Sequence, residues 1–378
     1  MNSKFKQCTK TVMDNISDPD IKFDNEGICN YVPEYLSRLN SRRFSKSERK
    51  DRLKKIVNEI KSKGKNNKYD CVIGISGGVD STYTALIVKE LGLNPLAVHV
   101  DNGWNAEIAV QNIKQTVKIL NIDLYTVVLN WEEFREIQRA FLLSSTPDCD
   151  IPTDHAIFAS LYNIANKMKI KYLIIGSNIV TEGFLPPSWS YGHYDWKYIR
   201  SVNNIFGDKK NLNNFPKLKL FKFFKYIFIN RIKRVTILDY YDFNTEKIIK
   251  ILEKKLKYKP YKEKHYESVF TRFYQGYIML RKFHMDKRKT HYSTLICSGL
   301  MNKANALKLL KKDSYPSKEM LYQDRDFFIK KFRISHEEFD MIMKADPKSF
   351  RNYPNNFTII QFLWKFYRIF KYKQKNEN

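Results

Sequence analysis

Two adjacent glycines flanked by serines are the residues whose types and spacing most clearly indicate chemistry. They lie in Ile75-Ser76-Gly77-Gly78-Val79-Asp80-Ser81-Thr82, between an apolar run and a helical pattern. Paired glycines let backbone N–H groups converge on an anion, the serines add hydroxyl donors, and a helix start adds about half a positive charge. The segment matches neither GxxxxGK[ST] nor GxGxxG. Without a lysine at the helix start, a bound polyphosphate would need Mg²⁺, with Asp80 as its ligand. The alternative is a plain Gly-Gly turn with a Ser or Asp helix cap.

Short apolar runs and helical patterns alternate on both sides of this loop. Strands are predicted at residues 71–75, 96–100, 124–129 and 172–176, with a less clear one at 236–238, and helices at 81–91, 106–120, 154–168 and 245–256. Such alternation indicates βαβ units on a parallel sheet. An irregular arm and a charged helix (47–63) precede the sheet, and Tyr- and Phe-rich helical patterns follow it, including one at 357–372. We therefore predict three units: residues 1–65, 66–258 and 259–378.

The net charge of the 378-residue chain is +27, but it is unevenly distributed. Residues 70–196 have a net charge of −6, whereas residues 197–300 have +17 and both ends have +8. A composition of 43% hydrophobic residues excludes a disordered basic chain. No apolar run has the length of a signal-peptide core or of a spanning helix, and five scattered cysteines suit a reducing compartment. We expect a cytoplasmic protein, with contact to the inner face of the membrane as an additional possibility.

The loop Ser76–Ser81, in its strand–turn–helix setting, resembles SGGxDS, the pyrophosphate loop of the PP-loop ATP pyrophosphatases. That resemblance implies a Rossmann-like α/β fold of the adenine nucleotide alpha hydrolase type, with helices flanking a parallel sheet, an N-terminal arm and a helical C-terminal region. It also implies cleavage of ATP to AMP and pyrophosphate with Mg²⁺. The segments His99–Gly103 and Gly176–Asn178 end later strands, where an open α/β sheet presents its ligand crevice.

Other segments resemble the N-acetyl sugar amidotransferases of bacterial surface-polysaccharide biosynthesis. They are 18–24 with Gly27 and Cys29, 151–158, 176–178 with 182–186, 286–291 and 298–301. The resemblance implies that an activated N-acetyl sugar is adenylated on its acetamido oxygen, and that ammonia then displaces AMP to give an acetamidino sugar for lipopolysaccharide, O-antigen or a related glycan.

The resemblance also implies roles for individual residues. For ATP binding these are Ser76, Gly77, Gly78, Asp80, Ser81, Val98, Asp101, Gly176 and Ser177, with Asp80 as the Mg²⁺ ligand. For catalysis they are Asp80, Ser81, Asp154, His155, Lys287 and Arg288, and for substrate binding Glu182, Asp286, Lys287 and His291. His155 could donate a hydrogen bond or handle protons during ammonia attack.

Several of these residues have an ordinary structural interpretation as well. Asp154 could be only a helix N-cap. Glu182 could be a solvated glutamate on a loop, and Lys287 and Arg288 could belong to a solvated helix face instead of neutralising phosphates.

Two features depart from the family pattern or are missing from the chain. Relatives often have two CxxC pairs in the arm, but here only Cys8 and Cys29 occupy these positions, so no zinc site is expected. No cysteine has the setting of a glutaminase nucleophile. The resemblance therefore implies a separate glutaminase subunit that supplies ammonia.

A lysine-studded apolar stretch, Leu220–Ile232, either packs against its own domain, which is the commoner arrangement, or lies on a membrane surface. The basic flanks leave a second functional interpretation, a PP-loop enzyme that thiolates tRNA. That chemistry needs reactive cysteines, and only the isolated Cys149 and Cys297 are candidates. A non-catalytic nucleotide-binding protein is a third interpretation, which the intact loop disfavours. Nucleic acid is thus an unfavoured partner, and any membrane contact is peripheral.

Overall fold

A five-stranded parallel sheet forms the centre of the protein in a computed structural model, which describes residues 4–42, 44–208, 212–261, 268–315 and 317–363. The strand order is β3-β2-β1-β4-β5. The strands are β1 Cys71–Gly74, β2 Pro95–Asp101, β3 Asp123–Val128, β4 Tyr172–Ile174 and β5 Lys233–Val235. The order changes direction between β1 and β4, so the crevice for ligands lies at the carboxyl ends of these central strands. The predicted α/β fold is confirmed.

The helices before and within the sheet region are α1 Tyr31–Asn40, α2 Lys46–Gly64, α3 Val79–Glu90, α4 Glu107–Leu120, α5 Trp131–Leu143, α6 Ile151–Lys167, α7 Trp196–Phe206, α8 Leu220–Phe224 and α9 Thr245–Leu256. The C-terminal helices are α10 Val269–Phe273, α11 Met279–Phe283, α12 Lys287–Ser298, α13 Lys303–Leu310, α14 Lys318–Phe332 and α15 His336–Lys344. The C-terminal region is therefore helical as far as it is described, and the part of the predicted 357–372 helix beyond residue 363 lies outside the described residues.

Both faces of the sheet are covered, because side chains of the central strands point alternately to two separate cores. Cys71 and Ile73 pack with α2, α3 and α9 on one face, whereas Val72 packs with α6 on the other. A third and larger core lies between the N-terminal arm, α5, α7 and the C-terminal helices. The arm and the C-terminal region thus share a core, although they are far apart in sequence.

Strand β5 differs from the predicted one, and helices α1, α5 and α7 were not predicted. The last strand is Lys233–Val235 instead of 236–238, because residues Ile237–Tyr240 form a 3₁₀ turn. Helix α5 was not predicted, since its buried side includes the charged Glu133, Arg135 and Glu136 and therefore has no clear apolar periodicity. Glu133 accepts backbone hydrogen bonds from Asn214 and Phe215, which explains its burial.

The stretch Leu220–Ile232 forms α8 followed by a π-helical turn, Lys225–Ile229. Its inner side packs against α6, where Tyr162 contacts Phe223 and Tyr226. This is the predicted arrangement in which the stretch packs against its own domain. Its outer side is exposed. Across the described parts of the chain, no helix combines the length and apolar character needed to cross a bilayer.

Candidate active site

The glycine loop joins β1 to α3 in a shape that only glycine permits at its centre. Gly77 has a φ of +80°, and a Cβ there would clash with the backbone carbonyl oxygen of Ala109. The Gly77 carbonyl is held on the opposite side by hydrogen bonds from Asn112 Nδ2 (3.3 Å) and Tyr261 Oη (3.1 Å). With the carbonyl fixed, the N–H groups that follow it begin α3 and form an anion cradle.

Hydroxyl groups line the mouth of this loop. Ser76 Oγ lies 3.1 Å from Ser81 Oγ, and it accepts a hydrogen bond from the Gly78 N–H at 3.3 Å. Ser76 is exposed, whereas Asp80 and Ser81 are partly buried. The loop thus presents donors to a phosphate, and Asp80 lies in the first turn of α3 beside them.

The end of β4 packs directly against the start of α3. A Cβ on Gly176 would lie 3.1 Å from the backbone of Asp80 and Ser81, so the absence of a side chain allows this approach. Ser177 and Asn178 follow on the same loop. The Nδ2 of Asn178 has no hydrogen-bond partner within the described residues, although the side chain is only 3% exposed. A buried donor beside a glycine cradle fits a bound nucleotide or its phosphates.

The other strand ends hold the loop in place. His99, on β2, contacts the carbonyl oxygen of Ile75 through Nδ1 (3.0 Å) and Nδ2 of Asn105 through Nε2 (3.3 Å). Asn105 also donates to Asp101 at 3.2 Å, so a hydrogen-bonded chain runs from the glycine loop to the end of β2. Sequence reasoning missed His99 and Asn105, although His99 lies within the singled-out segment His99–Gly103.

Asp101 lies beside a pocket of about 190 Å³ at the ends of β2 and β3, which Trp131 and Lys331 also line. The Lys331 ammonium lies 4.2 Å from the centre of the Trp131 ring. Desolvation lowers the pKa of Lys331, and Asp101 opposes that shift. The predicted adenosine contact of Asp101 is untested. Val98 packs in the core beneath α6 and is 2% exposed, and its part in ATP binding remains a prediction.

An acidic cluster, consisting of Asp148, Asp150 and Asp154, surrounds the N-terminus of α6. The helix leads into β4, so this terminus lies at the carboxyl edge of the sheet, as the loop does. Burial, and then the charge of Asp148, raises the pKa of Asp154 to about 7, while Lys287 opposes the rise. Burial also raises the pKa of Asp148 and the pKa of Asp150, and the charge of Lys287 opposes both shifts. Asp154 is not the N-cap, a position that Asp150 occupies.

Lys287 is the first residue of α12 and brings the C-terminal region to this cluster. Helix α12 also fixes the loop after β4, because Thr294 Oγ1 accepts the N–H groups of Gly183 (3.3 Å) and Phe184 (3.1 Å). His291 Nδ1 lies 3.0 Å from the carbonyl oxygen of Thr181, so this predicted substrate residue anchors the same loop. Glu182 is exposed on it.

His155 does not have the geometry of a proton carrier. It is fully buried, its Nδ1 contacts the His193 carbonyl oxygen at 2.9 Å, and its Nε2 accepts the Leu218 N–H at 3.2 Å. Burial lowers its pKa to about 4. The predicted catalytic role is therefore wrong: the neutral ring joins α6 to the segment that precedes α8.

Arg288 and Asp286 also have structural partners. The Arg288 guanidinium contacts the Asp286 carboxylate through Nε (3.0 Å) and Nη2 (2.7 Å), and it donates to the Lys312 carbonyl oxygen at 2.9 Å. Asp286 is in addition the N-cap of α12. This pair joins α12 to the segment after α13, and the roles of Arg288 in catalysis and of Asp286 in substrate binding remain predictions.

The arm contains both cysteines that were considered for zinc. Cys8 and Cys29 are buried, and the Cys29 N–H donates to Cys8 Sγ at 3.2 Å. Hydrogen bonding from Cys29 lowers the pKa of Cys8 to about 5, against the effect of burial. In the described residues, His, Cys, Asp and Glu form no group of three that could hold a metal ion.

Comparison with known proteins gives a family-model match and several partial relatives. Residues 267–371 match the family model of the LPS biosynthesis protein WbpG-like, C-terminal domain. A GMP synthase [glutamine-hydrolyzing] of Pyrobaculum aerophilum is 33% identical over 132 residues, which is 34% of this chain and 25% of that protein. An uncharacterised protein of Methanocaldococcus jannaschii is 30% identical over 132 residues, 34% of this chain and 46% of the relative.

Two further matches have lower identity. A tRNA-specific 2-thiouridylase MnmA of Enterococcus faecalis is 28% identical over 124 residues, covering 29% of this chain and 33% of that enzyme. The solved NH3-dependent NAD synthetase of Campylobacter jejuni has 17% identity and a TM-score of 0.29, covering 57% of this chain and 94% of that one. The chain spans between a quarter and about half of the length of these curated relatives. The glycine loop on its parallel sheet, the curated relatives and the WbpG-like region together identify the chain as a member of the PP-loop ATP pyrophosphatase superfamily.

Proposed function

We propose that this protein is an ATP-dependent, AMP- and pyrophosphate-forming amidotransferase that converts the acetamido group of an activated N-acetyl sugar into an acetamidino group, for lipopolysaccharide, O-antigen or a related glycan. The observation that supports this proposal most directly is the position of Lys287. Lys287 belongs to the WbpG-like region, and its charge favours the ionised form of Asp154 in the acidic cluster. In this proposal the pyrophosphate loop acts together with groups that can manage protons and phosphate charge.

The first step is adenylation of the sugar. The acetamido oxygen forms a bond to the α-phosphorus of ATP, and the bond between the α- and β-phosphates breaks to release pyrophosphate. The N–H groups and the hydroxyls of Ser76 and Ser81 stabilise the charge that develops on the leaving group. When bound, Mg²⁺ would neutralise the same charge, with Asp80 as its protein ligand. Lys287 is placed to attract an anionic substrate toward the cleft.

The second step replaces oxygen by nitrogen. Ammonia forms a bond to the imidate carbon, the attacking nitrogen loses a proton, and the carbon–oxygen bond to AMP breaks. Asp154 is the group suited to accept that proton, because its pKa of about 7 makes it a base near neutrality that can also return the proton. Its pKa is set by burial and by Asp148, and Lys287 keeps part of the population ionised.

The ammonia source is a separate glutaminase subunit in this proposal. No cysteine of the chain has the sequence setting of a glutaminase nucleophile. We expect the purified protein to use ammonium salts and to use glutamine only after the partner subunit is added. Equal use of glutamine by the isolated protein would contradict this part of the proposal.

The structure disfavours tRNA thiolation, although two matched relatives are tRNA-specific 2-thiouridylases. Burial raises the pKa of Cys297 to about 11 and raises the pKa of Cys149 still further. Both thiols are buried and are protonated at neutral pH, whereas sulfur transfer requires an accessible thiolate.

The experiment is a pyrophosphate-release assay with ATP, Mg²⁺, an ammonium salt and a panel of nucleotide-activated N-acetyl sugars. We expect release that depends on one of these sugars and that is lost in Asp80→Ala. The control Asp51→Ala changes an exposed carboxylate on α2 and should leave release unchanged. Release that is independent of any N-acetyl sugar would contradict the proposed acceptor.

A further inference from the structure

The outer side of α8 and its π-helical turn is a surface that the proposed reaction does not use. Phe221 is 82% exposed, Phe228 is 51% exposed and Ile229 is 70% exposed. The Phe228 ring stacks on Phe224 at a centroid distance of 5.6 Å, so the aromatic side chains form one apolar surface. Large contiguous apolar surfaces are uncommon on proteins without an interaction partner. We call the residues from Phe221 to Ile229 that face outward the α8 surface.

Basic residues surround this apolar surface. Residues 212–238 contain seven Lys and Arg and no Asp or Glu: Lys217, Lys219, Lys222, Lys225, Arg231, Lys233 and Arg234. All but Lys217 are exposed. Lys233 pairs with Glu59 and Arg234 donates to Tyr194 Oη, both at the following strand. Lys222 and Lys225 lie on the helical turns themselves, among the phenylalanines.

The inner side of α8 and its π-helical turn packs against the domain and fixes the α8 surface in place. Phe223 and Tyr226 contact Tyr162 of α6, and Tyr226 Oη donates to Asn163 Oδ1 at 2.9 Å. Lys171 Nζ donates to the Asn230 carbonyl oxygen at 2.8 Å where the turn ends. The exposed apolar side chains are therefore not the outer part of a loosely packed core, because the segment already has a buried side.

This combination favours one kind of partner. Cores of protein–protein interfaces are depleted in lysine, whereas here lysines lie between the exposed aromatic residues. A nucleic-acid site would have basic residues without a need for an exposed isoleucine and two exposed phenylalanines. A helix that lies in a membrane interface has both: aromatic and aliphatic side chains that enter the acyl boundary, and lysines that contact anionic headgroups. We propose that the α8 surface binds the headgroup region of an anionic phospholipid bilayer.

The proposal goes beyond the proposed amidotransferase activity and is independent of it. Helix α6 has Asp154 near one end and contacts the inner side of α8 further along, so membrane contact would hold Asp154 at a fixed orientation relative to the bilayer. Each basic residue near an anionic surface contributes about 1 kcal/mol, which is about fivefold in affinity.

The test is sedimentation of the full chain with vesicles of phosphatidylcholine alone and with vesicles of phosphatidylcholine and phosphatidylglycerol in equal parts. We expect binding to the anionic vesicles only, weakened by added salt. Lys222→Gln with Lys225→Gln should reduce the affinity by about 25-fold. Phe221→Ala with Ile229→Ala should reduce it by about tenfold, because apolar area no longer enters the interface.

The matched control is Lys54→Gln with Lys55→Gln, which removes the same charge from exposed positions of α2 on the opposite face of the sheet. This control should lose less than about fivefold in affinity for the anionic vesicles. Circular dichroism should show that all variants melt as the unaltered protein does. Equal losses in the control and in the α8 variants would overturn the proposal, and so would absence of vesicle binding. Retention of RNA that depends on Lys222 and Lys225, without vesicle binding, would assign the surface to nucleic acid instead.

Discussion

The Asp154 carboxyl and the Lys287 ammonium belong to different regions of the chain, and the proton balance of the cleft depends on both. Asp154 must be ionised to accept a proton, and its pKa is raised to about 7. With free ammonia held constant at each pH, we expect amidination to rise with pH through about 7 and then to level. Asp154→Asn should lower kcat by about 10²–10⁴-fold and remove this pH dependence. The control Asp51→Asn should retain both the kcat and the pH dependence of the unaltered protein. An unchanged pH profile in Asp154→Asn would exclude Asp154 as the base.

Neighbouring basic residues at the start of α12 should respond differently to substitution. Lys287→Gln should lower activity while the melting temperature changes little. Arg288→Gln should instead lower the free energy of unfolding by about 1–3 kcal/mol, because Asp286 would lose its partner at a site where only 10% of its side chain is exposed. Denaturant unfolding and pyrophosphate release, measured on both variants, distinguish the two roles. Loss of activity with full stability in Arg288→Gln would support its predicted catalytic role.

Sequence could identify the residues of the glycine loop because the chemistry is local: backbone N–H groups, two serines and a helix start lie within a few positions. It could not show how His155 and Arg288 are held, because several of their partners are remote. The His155 ring is fixed by Leu218 and His193, and the Arg288 guanidinium by a carbonyl beyond α13. A histidine or arginine in a family motif looks the same in sequence whether it contacts substrate or the backbone of a distant segment.

At the scale of elements, the β1–α3 turn depends on close packing as well as on conformational freedom. Gly77 and Gly299 both have a φ of +80°, but only Gly77 has a neighbour where a Cβ would be, since Gly299 has nothing within 4 Å. Gly299→Ala should lower the free energy of unfolding by about 1–2 kcal/mol, because alanine is strained at a positive φ, and it should leave activity intact. Gly77→Ala should lower the free energy of unfolding by more than Gly299→Ala does. It should also abolish pyrophosphate release, because the loop must move away from Ala109. Similar activity in the two variants would show that the loop tolerates this displacement.

The predicted elements were most accurate where the sequence has a simple apolar pattern. Strands β1 to β4 are continuous apolar runs or nearly so, and each is found within two residues of its predicted position. Helix α5 could not be recognised, since its buried side contains charged groups. Glu133 is held there by Asn214 and Phe215, and Arg135 pairs with Glu132. Strand β5 was displaced because its pairing with β4, and not its own apolar content, determines its position.

At the scale of the whole molecule, the N-terminal arm is joined to the C-terminal region by an ion pair between Lys289 and Asp14, 2.6 Å apart. Burial opposes ionisation of Asp14, but hydrogen bonds from Lys289 and Ser17 lower its pKa below the ordinary value. The stabilisation is therefore present above the unfolded-state pKa and is lost as pH falls through the lowered folded-state pKa. Lys289→Gln should lower the free energy of unfolding by about 2–4 kcal/mol at neutral pH.

The difference between Lys289→Gln and the unaltered protein should disappear in acid, once Asp14 is protonated in both. Lys308→Gln, at an exposed position of α13, is the control and should unfold as the unaltered protein does. A destabilisation of Lys289→Gln that is the same at all pH values would show that the ion pair is not its cause. The sequence indicated neither this pair nor the shared core, because arm and α12 are far apart along the chain. The boundaries at 65 and 258 remain predictions.

The structure shows where the negative and the positive residues of the chain lie. The net-negative residues 70–196 include strands β1 to β4 and the acidic cluster, and part of the positive excess lies on the α8 surface. The charge of the cleft therefore depends on single residues such as Lys287, and not on the overall excess.

The measurement that tests the central claim most directly is mass spectrometry of nucleotide-activated N-acetyl sugars after incubation with the protein, ATP, Mg²⁺ and an ammonium salt. We predict a product in which one oxygen is replaced by NH, formed together with AMP and absent with Asp154→Asn. Sugars of unchanged mass across the panel, in reactions where ATP is nevertheless converted to AMP, would contradict the assignment of an acetamido acceptor.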